Sequence, residues 1–275
     1  MTPLLLALGA SLAWGVADFV GPLLSRTLGT LRVLLWAQVG GALGIAIVVA
    51  VRGEGPAGWG VVFAIAAAIG GTAGLYAYYR GMQLGTMSVV APIAGASAII
   101  PVVFGIATGD DPSSAQIAGI ACAIVGVALA SIEHREGSRR LAAGVGLALL
   151  AALGFGFYFP WMHAAGKVDF WWASLIFRTT ALLLIASAVA VRRPQLRLTR
   201  RQLTIVFAVG IGDTIGNALF AASSGQGLVS LTAVLASLYP IVTVILAGVV
   251  LHERVAPLQK AGIALTLTGV VLIAF

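Results

Sequence analysis

Residues 227–253 read GLVSLTAVLASLYPIVTVILAGVVLHE, and residues 85–111 read GTMSVVAPIAGASAIIPVVFGIATGDD. The two stretches align without a gap at an offset of 142 residues. Each contains an apolar run about as long as a membrane-crossing helix, which takes roughly 20 residues. The aligned pairs include Gly85 with Gly227, Ser88 with Ser230, Ala91 with Ala233 and Asp111 with Glu253. An apolar helix that occurs twice predicts a membrane protein with an internal repeat.

The composition extends this apolar character to the whole chain. Of 275 residues, 60% are hydrophobic and 9% are charged, and the mean hydropathy is +1.06. Because soluble domains carry about 25% charged residues, these values exclude an ordinary soluble enzyme, a disordered chain and a secreted disulfide-rich protein. The single cysteine, Cys122, can form neither an internal disulfide nor a cysteine-based metal site.

Apolar runs between charged or turn-rich breaks give ten predicted spans. They cover residues 3–24, 33–51, 60–79, 88–107, 116–132, 141–162, 170–191, 203–222, 230–250 and 259–275. The breaks are short and leave no room for a soluble domain. The predicted fold class is therefore all-α integral membrane, with ten transmembrane helices. Because no Lys or Arg precedes Arg26 and the first run reaches spanning length, we expect no cleavable signal peptide.

The cations are distributed unevenly over the connections between these spans. The five odd-numbered connections hold thirteen Lys and Arg residues, whereas the four even-numbered ones hold Arg52 and Lys167. By the positive-inside rule, the odd-numbered connections face the cytoplasm. This places a multi-pass protein in the cell inner membrane with both termini on the non-cytoplasmic side. The net charge of +7 is then a topology signal, and no nucleic-acid partner is expected.

The repeat covers nearly the whole chain as five helices followed by five, with units at 1–136 and 137–275 that form one membrane domain. Since five is odd, the second unit enters the membrane from the opposite face, and the two units form an inverted pair. The connection that holds Arg52 and Glu54 corresponds to one that holds five arginines, as expected for equivalent connections on opposite sides. Inverted repeats are typical of secondary transporters. A duplicated scaffold without transport is the alternative.

The later part of the second unit resembles the EamA-type repeat of the drug/metabolite transporter superfamily. The residues that carry the resemblance are Tyr239-Pro240, His252-Glu253-Arg254, Gln259 and Gly262, with Trp14-Gly15 and Phe177-Arg178 elsewhere. The first unit departs from the pattern: Asp110-Asp111-Pro112 replaces the Glu-Arg pair, and Pro101 lies one turn beyond the position that matches Pro240.

The resemblance implies a ten-helix basket in which helices one to four and six to nine surround a cavity and helices five and ten lie outside. It also implies the export of amino acids or other small metabolites. Within the superfamily, the aromatic amino acid exporters (YddG-like) are the branch that the sequence most resembles.

Three charged side chains lie well inside predicted spans: Asp18, Arg178 and Asp213. Charges at this depth are costly and need a function or a partner. Arg178 and Asp213 have similar predicted depths. They form a polar centre that binds the ammonium and carboxylate groups of an amino acid, or supply a carboxylate that takes up a proton during the cycle, or form a permanent ion pair. Asn217 shares a helical face with Asp213, which favours the cavity. Asp18 shares a face with Trp14; it either binds substrate or contacts a neighbouring helix end or cytoplasmic arginines.

Aromatic residues are the second group of candidates. Tyr and Trp at span ends are typical of the membrane interface, and this predicts an interfacial position for Tyr79, Trp59, Trp171 and Trp172. An aromatic-lined pocket suits an apolar or aromatic substrate. The cavity candidates are Trp14, Tyr78, Tyr158, Trp161 and Tyr239.

Prolines and glycines mark helices that bend or pack closely. Pro92, Pro101 and Pro240 interrupt related helices and are either gates or ordinary packing kinks. Small residues a heptad apart predict close helix packing or a dimer contact. These residues are Gly119 and Gly126, matched by Gly262 and Gly269.

The sequence thus predicts a secondary transporter that exports small amphipathic metabolites, most of all amino acids, by alternating access around a midplane cavity. We expect no enzyme activity, cofactor or metal site, and a monomer or weak homodimer. A substrate gradient or an ion gradient, such as a proton gradient, would supply the energy. The alternatives are a membrane-embedded scaffold or channel and a lipid-modifying enzyme, but an enzyme would need a cluster of His, Asp or Ser that the sequence does not offer.

Overall fold

The computed structural model describes residues 2–56, 58–84, 87–130, 139–250 and 257–274. Every regular element in these ranges is helical. The helices are α1 (Thr2–Leu28), α2 (Thr30–Arg52), α3 (Gly60–Leu84), α4 (Met87–Gly95), α5 (Ile99–Ala107), α6 (Ser114–Ala130), α7 (Arg139–Arg192), α8 (Arg200–Gln226), α9 (Val229–Ala236), α10 (Tyr239–Val250) and α11 (Pro257–Ala274). The His252-Glu253-Arg254 motif and the predicted boundary at 136 lie outside the described residues.

Within the described ranges, six helical stretches are long and apolar enough to cross a membrane. They are Thr2–Leu28, Thr30–Arg52, Gly60–Leu84, Gly144–Arg192, Arg200–Gln226 and Val229–Val250. Large apolar side chains also cover the outer surface of the bundle, including Leu43, Ile47, Leu183 and Val249. A surface of this kind is stable against lipid and not against water.

One helix is interrupted at a predicted connection, and the predicted spans 88–107 and 230–250 are each interrupted inside. α7 holds a non-helical residue, Asp169 (φ −158°, ψ 108°), which divides its 54 residues into two helices. A 3₁₀ turn, Ala96–Ala98, separates α4 from α5. Pro101 and Pro240 each lie in the first turn of the helix that follows a break, where a missing N–H costs little. These two prolines therefore start helical segments and do not kink the interior of one.

Glycines bring pairs of helices into close contact. A Cβ on Gly154 of α7 would lie 2.7 Å from the backbone nitrogen of Gly74 in α3, so the two backbones touch. A Cβ on Gly269 of α11 would lie 2.6 Å from the carbonyl oxygen of Gly119 in α6. Gly269 and Gly119 thus serve close packing of α11 on α6.

Tyr79 differs from its predicted interfacial position. It is 2% exposed and lies against Gly21 of α1. Its place near the end of an apolar run is the usual signal of an interfacial residue, but the glycine leaves room for the ring between α1 and α3. Trp59, for which the sequence also predicts an interfacial position, is 76% exposed.

Hydrogen bonds between the connecting segments fall into two sets. In the first set, Arg26 bonds to Met82, Gln83 to Ser25, Arg32 to Gln195 and Trp36 to Leu196. In the second set, Arg52 bonds to Asp169, Trp172 to Glu54, Ser230 to Asp110 and Ser223 to Pro3. The first set joins residues in or beside connections one, three and seven, which lie at 25–32, 80–87 and 192–202. The second set joins residues near the even-numbered connections or the N-terminus.

Candidate functional site

A cavity lies between α1, α3, both parts of α7, α8 and α10. The space between its walls is about 450 Å³ including its opening, of which about 50 Å³ admits the centre of a water molecule. The cavity is therefore narrow in this conformation. Its walls are formed by Trp14, Asp18, Gly71, Leu75, Phe155, Tyr158, Phe159, Phe177, Asp213, Asn217 and Tyr239.

The aromatic wall is organised around Trp14. Its ring centroid lies 6.0 Å from that of Tyr158 and 6.5 Å from that of Tyr239, both in edge-to-face geometry. Glycine makes this arrangement fit, because a Cβ on Gly216 would lie 2.5 Å from the indole nitrogen of Trp14. A Cβ on Gly15 would lie 2.9 Å from the Tyr239 carbonyl oxygen, so the Trp14-Gly15 pair brings α1 close to α10.

Arg178 forms the charged centre beside this cavity. It is 1% exposed, and its Nη2 donates to Asp213 Oδ2 over 2.7 Å. Its Nη1 donates to Gln38 Oε1, also over 2.7 Å. The Phe177 ring, which lines the cavity, lies 5.6 Å from Arg178 Cζ. Arg178 is thus held by side chains of two other helices, α2 and α8, and is not itself a lining residue.

Asp18 is the second carboxylate of the cavity. It is 6% exposed, and no donor among the described residues forms a hydrogen bond or an ion pair with it. The Tyr158 hydroxyl, on the same cavity, is buried and likewise has no hydrogen-bond partner within the described ranges. Asn217 differs, because its side-chain nitrogen donates to the backbone oxygen of Asp213 over 2.8 Å.

The structure brings together six of the nine predicted binding residues on the cavity wall: Trp14, Asp18, Tyr158, Asp213, Asn217 and Tyr239. Tyr78 lies next to the wall, with its ring centroid 6.3 Å from that of Tyr239. Arg178 lies behind the wall. Trp161 packs elsewhere, with ring centroids of Phe63 and Phe157 at 5.8 Å each.

Sequence reasoning missed Gln38 and did not single out Phe155, Phe159 and Phe177 as wall residues. Gln38 carries no charge, and no charged candidate shares its span, although it is the one amide in the apolar run 33–51. A search for any strongly polar side chain inside a span would have found it. The phenylalanines carry no such signal, because rings that face lipid and rings that face a cavity have the same composition.

The chemistry of the wall favours binding over catalysis. The carboxylates and the Asn217 amide can bind a polar or cationic group, and the rings can hold an apolar body. In the described part of the chain, no group of three His, Cys, Asp or Glu residues could hold a metal ion.

Comparisons with known proteins agree with this architecture. A solved crystal structure of a protein superposes with a TM-score of 0.81 at 20% sequence identity, covering 100% of this chain and 99% of the other, which shows a shared fold. A search of the curated proteins finds no match. The model of the EamA-like transporter family matches twice, over residues 1–132 and 142–275. The chain therefore belongs to the EamA-like transporter family of the drug/metabolite transporter superfamily, a family of multi-pass membrane transporters of small molecules that are generally not enzymes.

Proposed function

We propose that the protein exports amino acids, with aromatic ones preferred, by alternating access around the cavity described above. The observation that carries this proposal is the origin of the cavity wall. Trp14, Asp18, Gly71 and Leu75 come from the first half of the chain, and the other wall residues come from the second half. A cavity between two halves opens to either side when the halves rock against each other.

We further propose ten spans arranged as two inverted repeats, with units at 1–136 and 137–275. The double match of one family model to the two halves supports the duplication. The two sets of hydrogen bonds support the alternation, because each set stays with connections of one parity. α6 and α11 pack on each other and contribute nothing to the described wall, in keeping with outer helices five and ten.

The wall supports an aromatic substrate side chain and hence the YddG-like branch. Six of its eleven residues are Trp, Tyr or Phe, and aromatic walls bind apolar rings well. Asp18, Asp213 and Asn217 supply polar groups for the other end of an amino acid. The breaks that precede Pro101 and Pro240 are the candidate hinges of the two gates, and Pro92 in α4 is the third gating candidate.

For the membrane setting, we propose the cell inner membrane with both termini on the non-cytoplasmic side. We also propose a proton as the coupling ion. Asp18 is the group that would carry it, and it is faced by Tyr78 and Tyr79 from α3, Tyr239 from α10 and Asp213 from α8. A pH gradient across liposomes should then drive accumulation of substrate, and the absence of accumulation would remove the proton from the proposal.

Counterflow of labelled phenylalanine in proteoliposomes tests the function. We expect saturable uptake that unlabelled phenylalanine on the opposite side stimulates. Uptake that does not saturate would instead indicate a channel, and no uptake of any amino acid would contradict the proposed substrate. Asp213→Asn and Arg178→Gln test the polar centre: if both variants transport like the unmodified protein, the centre has no role in transport.

A further inference from the structure

We infer that the cavity recognises the ammonium group of its substrate at Asp18 and has no matching site for a carboxylate. The substrate class would then include amphipathic organic amines as well as amino acids. This inference rests on the proposed function, because it concerns the substrate of the same cavity. It differs from the sequence-based hypothesis, in which Arg178 binds the carboxylate of an amino acid.

The charges on the cavity wall favour an ammonium group over a carboxylate. Asp18 and Asp213 line the cavity, whereas no Lys, Arg or His is among its described wall residues. Arg178, the nearest cation, is 1% exposed, and two side chains accept hydrogen bonds from it. It neutralises Asp213 and leaves Asp18 uncompensated. A carboxylate of a substrate would therefore meet negative charge and no free cation.

The burial of Asp18 indicates that its carboxylate needs a partner. The side chain is 6% exposed and has no donor among the described residues. Burying an isolated charge is strongly unfavourable unless a counter-charge or a proton accompanies it. The described residues provide no counter-charge, so the carboxylate holds either the proposed coupling proton or a cationic group from outside the chain, and each excludes the other. A substrate ammonium group provides both the charge and the hydrogen-bond donors that the carboxylate lacks.

The aromatic rings on the same wall also favour a cationic group. The rings of Trp14 and Tyr239 lie on the wall with Asp18, and aromatic faces attract cations within about 6 Å. The buried Tyr158 hydroxyl, which has no partner within the described residues, adds an oxygen that can accept a hydrogen bond from an ammonium group. The same rings pack against the apolar body of the ligand. A carboxylate gains nothing from the faces of these rings.

Three ligands that share a phenyl ring but differ in their charged groups test which group the cavity recognises. Phenethylamine has only the ammonium group, 3-phenylpropionate has only the carboxylate, and phenylalanine has both. Calorimetric titration of the purified protein in detergent measures the affinity of each. We expect phenethylamine to bind at least as tightly as phenylalanine and about tenfold or more tighter than 3-phenylpropionate. Equal or tighter binding of 3-phenylpropionate would overturn the inference, and so would the absence of phenethylamine binding.

Variants at Asp18 test whether its carboxylate binds the ammonium group. Asp18→Asn removes the charge, and we expect it to weaken phenethylamine binding by about tenfold or more. Asp18→Glu keeps the charge and should retain most of the affinity. The matched control is Asp111→Asn, which removes an exposed carboxylate outside the cavity and should change nothing. Unchanged phenethylamine affinity in a monodisperse Asp18→Asn sample would refute the role of Asp18. If Asp18→Asn does not fold, the comparison of the three ligands on the unmodified protein still decides.

The failure of this inference can be told apart from the failure of the proposed function. Saturable phenylalanine flux in liposomes without phenethylamine binding would leave transport standing and overturn recognition by the amine. Phenethylamine binding that depends on Asp18, without flux of any of the three ligands, would support the inference and contradict the transport function.

Discussion

At the scale of single residues, the network of Arg178, Asp213 and Gln38 explains how a guanidinium is accommodated inside the bundle. Two of its nitrogens donate over 2.7 Å to neighbouring side chains, so the charge is both paired and hydrogen-bonded. Gly41 makes room for this, because a Cβ there would lie 3.1 Å from Arg178 Cδ. A buried charge that loses its partner is far more costly than a pair that is replaced as a whole.

This contrast leads to a prediction on stability. Asp213→Leu alone leaves Arg178 buried without its counter-charge, and we expect a loss of about 3 to 5 kcal/mol in the free energy of unfolding. Asp213→Leu combined with Arg178→Met removes both charges and should recover much of that loss. Unfolding in detergent, followed by circular dichroism, measures both variants. A double variant that is no more stable than the single one would show that the pair is not the main interaction of Arg178.

Gln38 provides the matched test on the other side of the guanidinium. Gln38→Leu removes one neutral acceptor and leaves one N–H of Arg178 without a bond, so we expect a smaller loss of about 1 to 3 kcal/mol. The same unfolding measurement applies. A loss as large as that of Asp213→Leu would mean that the amide contributes as much as the carboxylate, which the pairing geometry does not predict.

At the scale of elements, the interruption of α7 at Asp169 shows how one carboxylate ends one helix and starts another. Its Oδ1 accepts from the backbone nitrogens of Trp171 and Trp172 over 2.8 and 3.2 Å, which caps the second helix. The same carboxylate accepts from Arg52 Nη1 over 3.0 Å, and Arg52 also bonds to Glu54. The cap thus ties the helix start to the end of α2.

Two substitutions at Asp169 separate the cap from the ion pair. Asp169→Asn keeps a capping oxygen and loses the charge, so we expect a loss of at most about 1 kcal/mol, as for partly exposed ion pairs. Asp169→Ala removes the cap as well and should cost about 0.5 to 2 kcal/mol more. Thermal unfolding in detergent compares the two. Equal stability of the Asn and Ala variants would show that the cap contributes nothing.

At the scale of the whole molecule, the two sets of hydrogen bonds between connections define two ends of the bundle. Arg26, Arg32 and the segment around Gln195 belong to one end, while Glu54, Asp110 and Asp169 belong to the other. The cation-rich connections around Arg26 and Arg32, around Arg80 and around Arg197 belong to the first end. Since cations are retained on the cytoplasmic side during insertion, the first end should face the cytoplasm.

Cysteine labelling in intact cells tests this orientation. Cys122→Ala removes the single native cysteine, and Asp111→Cys and Arg197→Cys then place one thiol at each end, both at exposed positions. We expect a membrane-impermeant maleimide to label the Asp111→Cys variant and to label the Arg197→Cys variant only after permeabilisation. The reverse pattern, or a reporter fused to Phe275 that is active in the cytoplasm, would contradict the predicted topology.

The sequence by itself determined the apolar runs, most of the breaks between them and the polar residues at the centre. Length and hydropathy suffice for this, because a span needs roughly 20 apolar residues and each intramembrane charge is conspicuous against them. The membrane character and the proximity of Arg178 to Asp213 followed from such signals. The resemblance to a transporter family followed from motifs such as Trp14-Gly15 and Tyr239-Pro240.

Only the tertiary structure decided which side chains face the cavity. Trp14 and Trp161 are both predicted to line the cavity, yet Trp14 lies on the wall and Trp161 packs against Phe63. Tyr79 has an interfacial sequence position and is buried against Gly21. The physical reason is that lipid and a helix neighbour are both apolar, so the periodic pattern that orients a helix in water is nearly absent here. Packing at glycines, which the period of the sequence does not reveal, sets the orientation instead.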